Sequence, residues 1–338
     1  MRVAVAVAVR MAAAVRRKAP VLALAVALSG CASPLTWTQP AHPATLRASV
    51  AAPVGHPATS GAASVSTSAG LLTGAYESTT PTDWSGMTEF GTATGLKPRI
   101  ALYYSAWNSG FNTSFAQTAR SHGSYVFAQL QPNGVTLADV AAGKYDKYLR
   151  QYAYSVRVFG YPVILSFAHE MNGNWYTWGD GHTSPANFIA AWRHVVDVFR
   201  QEGASNVTWV WTVNATNLGA TATDPLKEWW PGASYVNWVG IDGYYYKDTD
   251  SFDSVFGTTI DQVRAFSNAP VIISETATGA SNPSRAAQIT SLFAGIRADH
   301  IVGVVWFDKS QDNGLYHQSW RLETDPDALE AFKQAAQG

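Results

Sequence analysis

The chain is 338 residues long, 47% apolar and 14% charged, enough apolar material for a large core and too much for a chain disordered throughout. Its 23 Lys and Arg against 24 Asp and Glu give a formal charge of −1, without the basic excess that nucleic-acid binding draws on. A single cysteine excludes any internal disulfide, whereas 13 Trp and 15 Tyr are more rings than a core ordinarily needs.

The first thirty residues read as a leader rather than as fold. Arg16, Arg17 and Lys18 form a basic start, and residues 19–27 an apolar run too short to span a bilayer. Leu28-Ser29-Gly30-Cys31 then resembles a bacterial lipobox, which implies cleavage ahead of Cys31 and lipidation of its thiol. The protein is then expected at the bacterial cell envelope, outside the cytoplasm, held to a membrane through Cys31. Either Met1 or Met11 can begin such a leader. Its removal takes five cations (Arg2, Arg10, Arg16, Arg17 and Lys18) from the 23, leaving 18 against 24 acids and a charge near −6. A neutral polymer suits that surface better than an anionic one. Residues 31–70 are dominated by Ala, Pro, Ser, Thr and Gly, and Arg47 is the sole Asp, Glu, Lys or Arg after Cys31; they read as a flexible tether.

From residue 71 short apolar runs alternate with amphipathic segments. Strands are predicted at 71–76, 100–107, 125–131, 163–170, 207–214, 238–245, 271–275 and 302–307. The clearest helix opens at Ser184-Pro185 and places Phe188, Ile189, Trp192, Val195, Val196 and Phe199 on one face before Gly203. A second has Thr136 and Asp139 as its capping pair, ahead of Leu137, Val140, Tyr148, Leu149 and Tyr152. Eight Val- and Ile-rich strands alternating with helices over 71–338 predict an α/β fold, a (β/α)8 TIM barrel. A doubly wound sheet is the competing architecture, but no glycine-rich phosphate turn follows the first strand.

A barrel of this kind carries its chemistry at the C-terminal ends of the strands. Those ends offer Tyr104 to Asn108, His169-Glu170, Trp211 to Asn214, Asp242 to Tyr245, Ser274-Glu275 and Trp306 to Asp308. Two carboxylates amid aromatics and amides match glycosidic bond cleavage, in which one acid protonates the leaving oxygen and one anion faces the anomeric carbon. Taken singly, either glutamate is as readily a salt-bridged strand end. The stretch 164–179 lacks the second histidine of a metalloprotease helix, and no nucleophile elbow, phosphate loop or paired-cysteine motif occurs.

The longer motifs are more specific. "FAHEMNGNWYTWG" (167–179) closely resembles the acid/base motif of glycoside hydrolase family 26, and "VIISETATG" (271–279) its nucleophile strand. "GIDGYYY" (240–246) is similar to its Asp-x-Tyr strand, and "VTWVWTVN" and "VVWFDKS" to its fifth and eighth strands, all in the family's order. The resemblance implies a retaining endo-β-glycanase with Glu170 as acid/base, Glu275 as nucleophile, and Tyr244 hydrogen-bonded to Glu275. It implies substrate contacts from His169, Trp175, Trp178, Trp306, Trp107 and Asn214, and a polysaccharide or oligosaccharide partner; a monomer is expected, and the motifs call for neither metal nor cofactor. Tyr244, His169 and Trp306 each have a packing role as the alternative, while Trp192, Trp229, Trp230 and most of Trp209, Trp211 and Trp238 are assigned to packing. Within the family, β-1,4-mannan is the commonest substrate, alongside mixed-linkage β-1,3-1,4-glucan and β-1,3-xylan. "PRIALYYSAWNSGF" (98–111) and "GDGHTSPANFIAAWRHV" (179–195) look more like the mixed-linkage branch, leaving mannan and glucan level. The alternative of another class is a carbohydrate-binding lipoprotein that keeps the aromatic groove without turnover.

Overall fold

A computed structural model describes residues 64–67, 70–215, 226–311 and 317–337. The leader, Cys31 and most of the tether lie outside them. Of the stretch expected to be tether, Val65 is buried and the Ser66 N–H donates to the Tyr125 hydroxyl, so packing begins ahead of Leu71.

The strands are β1 (Leu72–Glu77), β2 (Ile100–Ala106), β3 (Tyr125–Gln131), β4 (Val163–Phe167), β5 (Val207–Asn214), β6 (Trp238–Tyr245), β7 (Val271–Thr278) and β8 (Gly303–Asp308). All pair in parallel with their chain neighbours, and β8 closes on β1 from Leu72↔Gly303 to Glu77↔Asp308. Residues Ser310–Gln311 and Gln318–Ser319 (β9 and β10) add a short antiparallel ladder. Outside run α1 (Ser85–Thr94), α2 (Thr113–Ser121), α3 (Leu137–Ala141), α4 (Asp146–Phe159), α5 (Pro185–Gln201), α6 (Thr258–Arg264), α7 (Arg285–Ala298) and α8 (Pro326–Gln337). The fold is the (β/α)8 barrel that the alternation predicts.

The capping signals act as read. Ser184 Oγ accepts the Asn187 N–H with Pro185 in the first turn of α5, and Thr136 Oγ1 accepts the Asp139 N–H at the start of α3. The helix expected to run on to Tyr152 is instead two, because Gly143 takes a left-handed φ of 76° and turns the chain between α3 and α4.

Strand alternation sorts side chains into two layers. Odd positions of β5 and even ones of β8 face outward: Trp209 packs on Trp192 and Phe199, Trp211 on Trp230 and Phe266, and Trp306 on Phe332. Each buried indole withdraws about 200 Å² and stabilises by roughly 5 kcal/mol before ordering entropy. Much of the tryptophan excess thus cements strands to helices. Inward positions are smaller and more polar toward the top, with Tyr104, Gln129 and Ser166 as register neighbours across β2, β3 and β4.

Two backbone irregularities aim the upper side chains. In β7 the pairing with β6 jumps from Ile241↔Ile273 to Asp242↔Glu275, leaving Ser274 as an extra residue. Regular alternation would turn Glu275 outward if Ser274 faces in; the bulge lets both face in. In β4 the ladder stops at Phe167, earlier than predicted, because Ala168 and Glu170 have φ of 50° and 53°. Such values cost about 1 kcal/mol or more in a residue with a Cβ. They are held by backbone bonds on both sides, Ala168 N–H to Leu130 O (3.0 Å) and Glu170 N–H to Thr212 O (2.9 Å).

Candidate active site

The mouth of the barrel brings two carboxylates together from opposite arcs. Glu275, 6% exposed, rises from the β7 bulge; Glu170, 9% exposed, stands on the turn after β4. Each has its own set of donors. Glu275 Oε1 accepts Tyr104 O–H (2.6 Å) and Gln129 Nε2–H (2.9 Å), and its Oε2 accepts Tyr244 O–H (2.8 Å). Glu170 Oε1 accepts Asn214 Nδ2–H (2.6 Å) and its Oε2 accepts the Trp175 indole N–H (2.8 Å).

The supports beneath these contacts are local and specific. Asn172 donates to Asn214 O and accepts the Asn214 N–H, both at 2.8 Å, a reciprocal pair that fixes the end of β5 against the β4 turn and so aims the Asn214 amide. The Trp175 ring lies across Gly173, where a Cβ would sit 2.2 Å from its nearest carbon. Only a glycine leaves the indole in that place. Trp175 is 37% exposed, and no other described tryptophan is as open.

Burial raises both carboxyls above their ordinary 4.5. Glu275 is pushed up to about 8, by desolvation first and by the negative charge of Glu170 second, with Tyr104 and Tyr244 pulling the other way. Glu170 is raised by desolvation, against the lowering effect of Asn214 and Trp175. Two buried carboxyls that sense one another resist ionising together, so the pair keeps one proton through neutral pH. With that proton on Glu170, the repulsive part of the Glu275 shift vanishes, and three donors against two favour the anion there. The donors themselves stay protonated, because burial and the charge of Glu275 hold the Tyr104 and Tyr244 hydroxyls well above the usual tyrosine range. Asp242 lies buried below, bonded to the Ser274 hydroxyl, and desolvation and the two glutamate charges also raise it.

Several expected sugar contacts sit elsewhere. His169 is buried, its ring between Tyr104 (5.7 Å between centroids) and Tyr176 (4.9 Å), with Nε2 3.2 Å from the Tyr176 hydroxyl. Burial pushes its imidazole down to about 3, so it is a neutral spacer between the two halves of the site rather than an exposed sugar ligand. Trp178 is also buried, stacked on Tyr176 at 4.3 Å with its indole N–H on His169 O; it supports the loop from behind. Trp306 cannot reach the mouth: β8 turns Val305 and Phe307 inward and Trp306 out onto α8, where its N–H meets Trp320 O. Its neighbour Phe307 takes the mouth position, stacked on Tyr76 and edge-on to Tyr244. Trp107 turns aside onto Tyr145, Tyr148 and Phe167 and is buried there. Glu170, Glu275, Tyr244, Asn214 and Trp175 are the expected residues that the structure brings together.

Tyr104 and Gln129 were not among the expected site residues. Tyr104 was visible as a strand end, and Gln129 as an amide inside the apolar run of β3, one register step from Tyr104. Among the described residues no three His, Cys, Asp or Glu side chains converge as metal ligands would, and no helix is long and apolar enough to cross a membrane.

A closed barrel with paired, separately held carboxylates at its mouth is the arrangement of a glycosidase. Residues 144–326 match the Glycosyl hydrolase family 26 profile, and the chain belongs to that family. Endoglucanase H of Acetivibrio thermocellus is 33% identical over 281 residues, 79% of this chain and 30% of that protein. A β-1,3-xylanase of a Vibrio species is 31% identical over 40% of this chain and 28% of its own length. This chain therefore spans about a third of these relatives. The solved structure of a Cellulomonas fimi endo-β-1,4-mannanase double mutant superposes with a TM-score of 0.60 at 18% identity, covering 79% of this chain and 71% of that one, a likeness of fold.

Proposed function

We propose that the protein is a retaining endo-β-glycanase in which Glu170 is the acid/base and Glu275 the nucleophile. The observation that carries this reading is the division of donors: Glu275 is braced by two tyrosines and an amide as an anion, while Glu170, under an open indole, has fewer donors and is raised by desolvation, which favours its protonated form. Glu275 attacks the anomeric carbon as the glycosidic C–O bond breaks, and Glu170 passes its proton to the departing oxygen. Esterified Glu275 no longer carries charge, so Glu170 ionises, takes a proton from water, and the water oxygen displaces the ester. The configuration is inverted twice and so retained. Trp175 offers its open face to a sugar ring beside Glu170, and Asn214 can turn from Glu170 toward a hydroxyl.

The substrate we propose is a β-glucan, mixed-linkage β-1,3-1,4-glucan foremost. Support comes from the 33% identity to Endoglucanase H along 79% of the chain, whereas similarity to mannan endo-1,4-β-mannosidases extends over 25% to 48% of it. Attachment at the cell envelope through a lipidated Cys31, with the chain as a monomer on a tether, completes the proposal; Cys31→Ala should then move the protein out of the membrane fraction. Incubation with barley β-glucan and with galactomannan, followed by proton NMR of the first products, tests the function. The expected result is β-anomeric ends from glucan with an early fall in viscosity. An α-anomer as first product refutes double displacement, and intact polymers throughout would leave a carbohydrate-binding protein without turnover.

A further inference from the structure

The two oxygens of Glu275 are held unequally. Oε1 accepts two bonds, from Tyr104 O–H at 2.6 Å and Gln129 Nε2–H at 2.9 Å; Oε2 accepts one, from Tyr244 O–H at 2.8 Å. A carboxylate oxygen has two in-plane acceptor sites, so Oε1 is filled and Oε2 keeps one. Gln129 is fully buried, and its own Oε1 has no partner, so the amide sits there for its N–H rather than for its carbonyl. Tyr104 and Gln129 are register neighbours on β2 and β3, on the far side of the barrel from the bulge that carries Glu275. They form a rigid two-point clamp on one oxygen.

We infer that Oε2 of Glu275 is the attacking atom, and that Tyr104 and Gln129 are positioning residues which fix Oε1 so that the free site of Oε2 faces the sugar. The inference rests on the reading of Glu275 as nucleophile. In the first step a lone pair of Oε2 forms the bond to the anomeric carbon, the glycosidic bond breaks, and its oxygen leaves with the proton of Glu170. In the second, water oxygen bonds to that carbon, its proton goes to Glu170, and the electron pair of the broken ester bond returns to the carboxylate. Oε1 is the ester carbonyl in between, still facing both donors. As the ester breaks, negative charge grows on Oε1, and the same two bonds strengthen. The clamp therefore serves both steps.

Tyr104→Phe and Gln129→Met remove one donor each with little change of volume. Losing a hydrogen bond to a charged group should lower kcat/KM on a dinitrophenyl β-cellobioside about 10- to 100-fold, and lift the acidic limb of its pH profile by about one unit as Glu275 becomes harder to ionise. The separating measurement uses Glu275→Ala rescued by azide, in which azide attacks in place of the carboxylate. Adding either clamp substitution to that background should leave the rescued rate within about twofold, because the group it positions is gone. If the double variants lose as much rate as the single ones, the clamp residues act on the sugar or the fold, and the inference is overturned. It is overturned too if both single variants keep the wild-type rate and pH profile. Failure of the nucleophile reading looks different: Glu275→Ala stays active, or azide restores nothing and yields no α-glycosyl azide.

Discussion

A buried acid pair at the barrel seam makes stability depend on pH in a way that one substitution should undo. Glu77 ends β1 and Asp308 ends β8, directly opposite in register and both buried. Glu323 adds a third negative charge nearby, partly offset by Arg321, which pairs with Glu323, and the Leu322 N–H donates to Asp308 at 2.8 Å. Burial first, and Asp308 second, push the Glu77 carboxyl from 4.5 up to about 10; burial and Glu323 push Asp308 up to about 7. The sign follows directly. A carboxyl raised in the folded state gives stability that is full below its unfolded value and is lost as pH climbs to its folded value. Between pH 7 and 9 the folded chain holds the Glu77 proton that the unfolded chain has shed, so wild type should lose about 1.4 kcal/mol per pH unit from this group, about 2.7 kcal/mol over the window. Glu77→Gln keeps the shape, lets an amide N–H face Asp308, and removes that slope. Asp308, which interacts with Glu77, completes its own titration near pH 7, so the difference is read above that pH, where the remaining groups are common to both proteins. Urea unfolding followed by tryptophan emission at half-unit pH steps measures it. Parallel stability curves for the two proteins would show Glu77 to be ionised in the fold and the reasoning to be wrong.

The remaining expectations concern the mouth of the barrel. Glu170→Gln should lower kcat on polymeric glucan by about 10²- to 10⁴-fold yet leave the first step on dinitrophenyl glycosides near normal, since that leaving group needs no proton; a burst of dinitrophenolate reads this out. Asn214→Ala removes a bond that favours ionised Glu170, so the alkaline limb of kcat/KM should move to higher pH while the rate falls about 10-fold or more; a limb that moves down would contradict the 2.6 Å contact. Gly173→Ala should push the indole off Glu170 and reproduce the rate and pH profile of Trp175→Phe, with only a modest loss of thermal stability because the displaced ring is already 37% exposed.

The barrel was legible because its signals are periodic and repeated. Eight apolar runs alternating with amphipathic segments, with caps at Thr136 and Ser184, leave few alternatives, and the boundaries of β3, β5 and β6 fall at the predicted residues. Strand ends were harder where the backbone departs from alternation. Ala168 and Glu170 take left-handed φ without being glycine or asparagine, so nothing in their identity announces that β4 stops at Phe167. Conversely β7 continues to Thr278 because Thr276, Ala277 and Thr278 are buried and pair with β6, past the glutamate that looked like its end. The carboxylates, Tyr244, Asn214 and Trp175 could be found from strand ends and family motifs. Trp178, in the loop after β4, instead folds back onto Tyr176. Trp306 and Trp107 were misplaced for one reason: a ring at a strand end suits the helix layer as well as a sugar, and which it meets depends on inward or outward phase. That phase is set by barrel closure, as when Glu77↔Asp308 pairing sends Phe307 in and Trp306 out. Gln129 escaped notice because its meaning depends on a partner 146 residues away.

The extra residue in β7 makes the number of inward side chains beside Asp242 a matter of counting. Deleting any one residue between Ile273 and Thr276 would restore a regular two-residue repeat, and the ladder to β6 and β8 could re-form with every backbone partner present. Such a barrel would be closed and as well bonded as before, but it would keep a single inward position opposite Asp242, so Glu275 and the Ser274 hydroxyl that bonds Asp242 could not both face in. The insertion thus gives the strand one inward side chain more than regular pairing allows, and a change in residue number here alters the layer that holds Asp242 even where the barrel still closes.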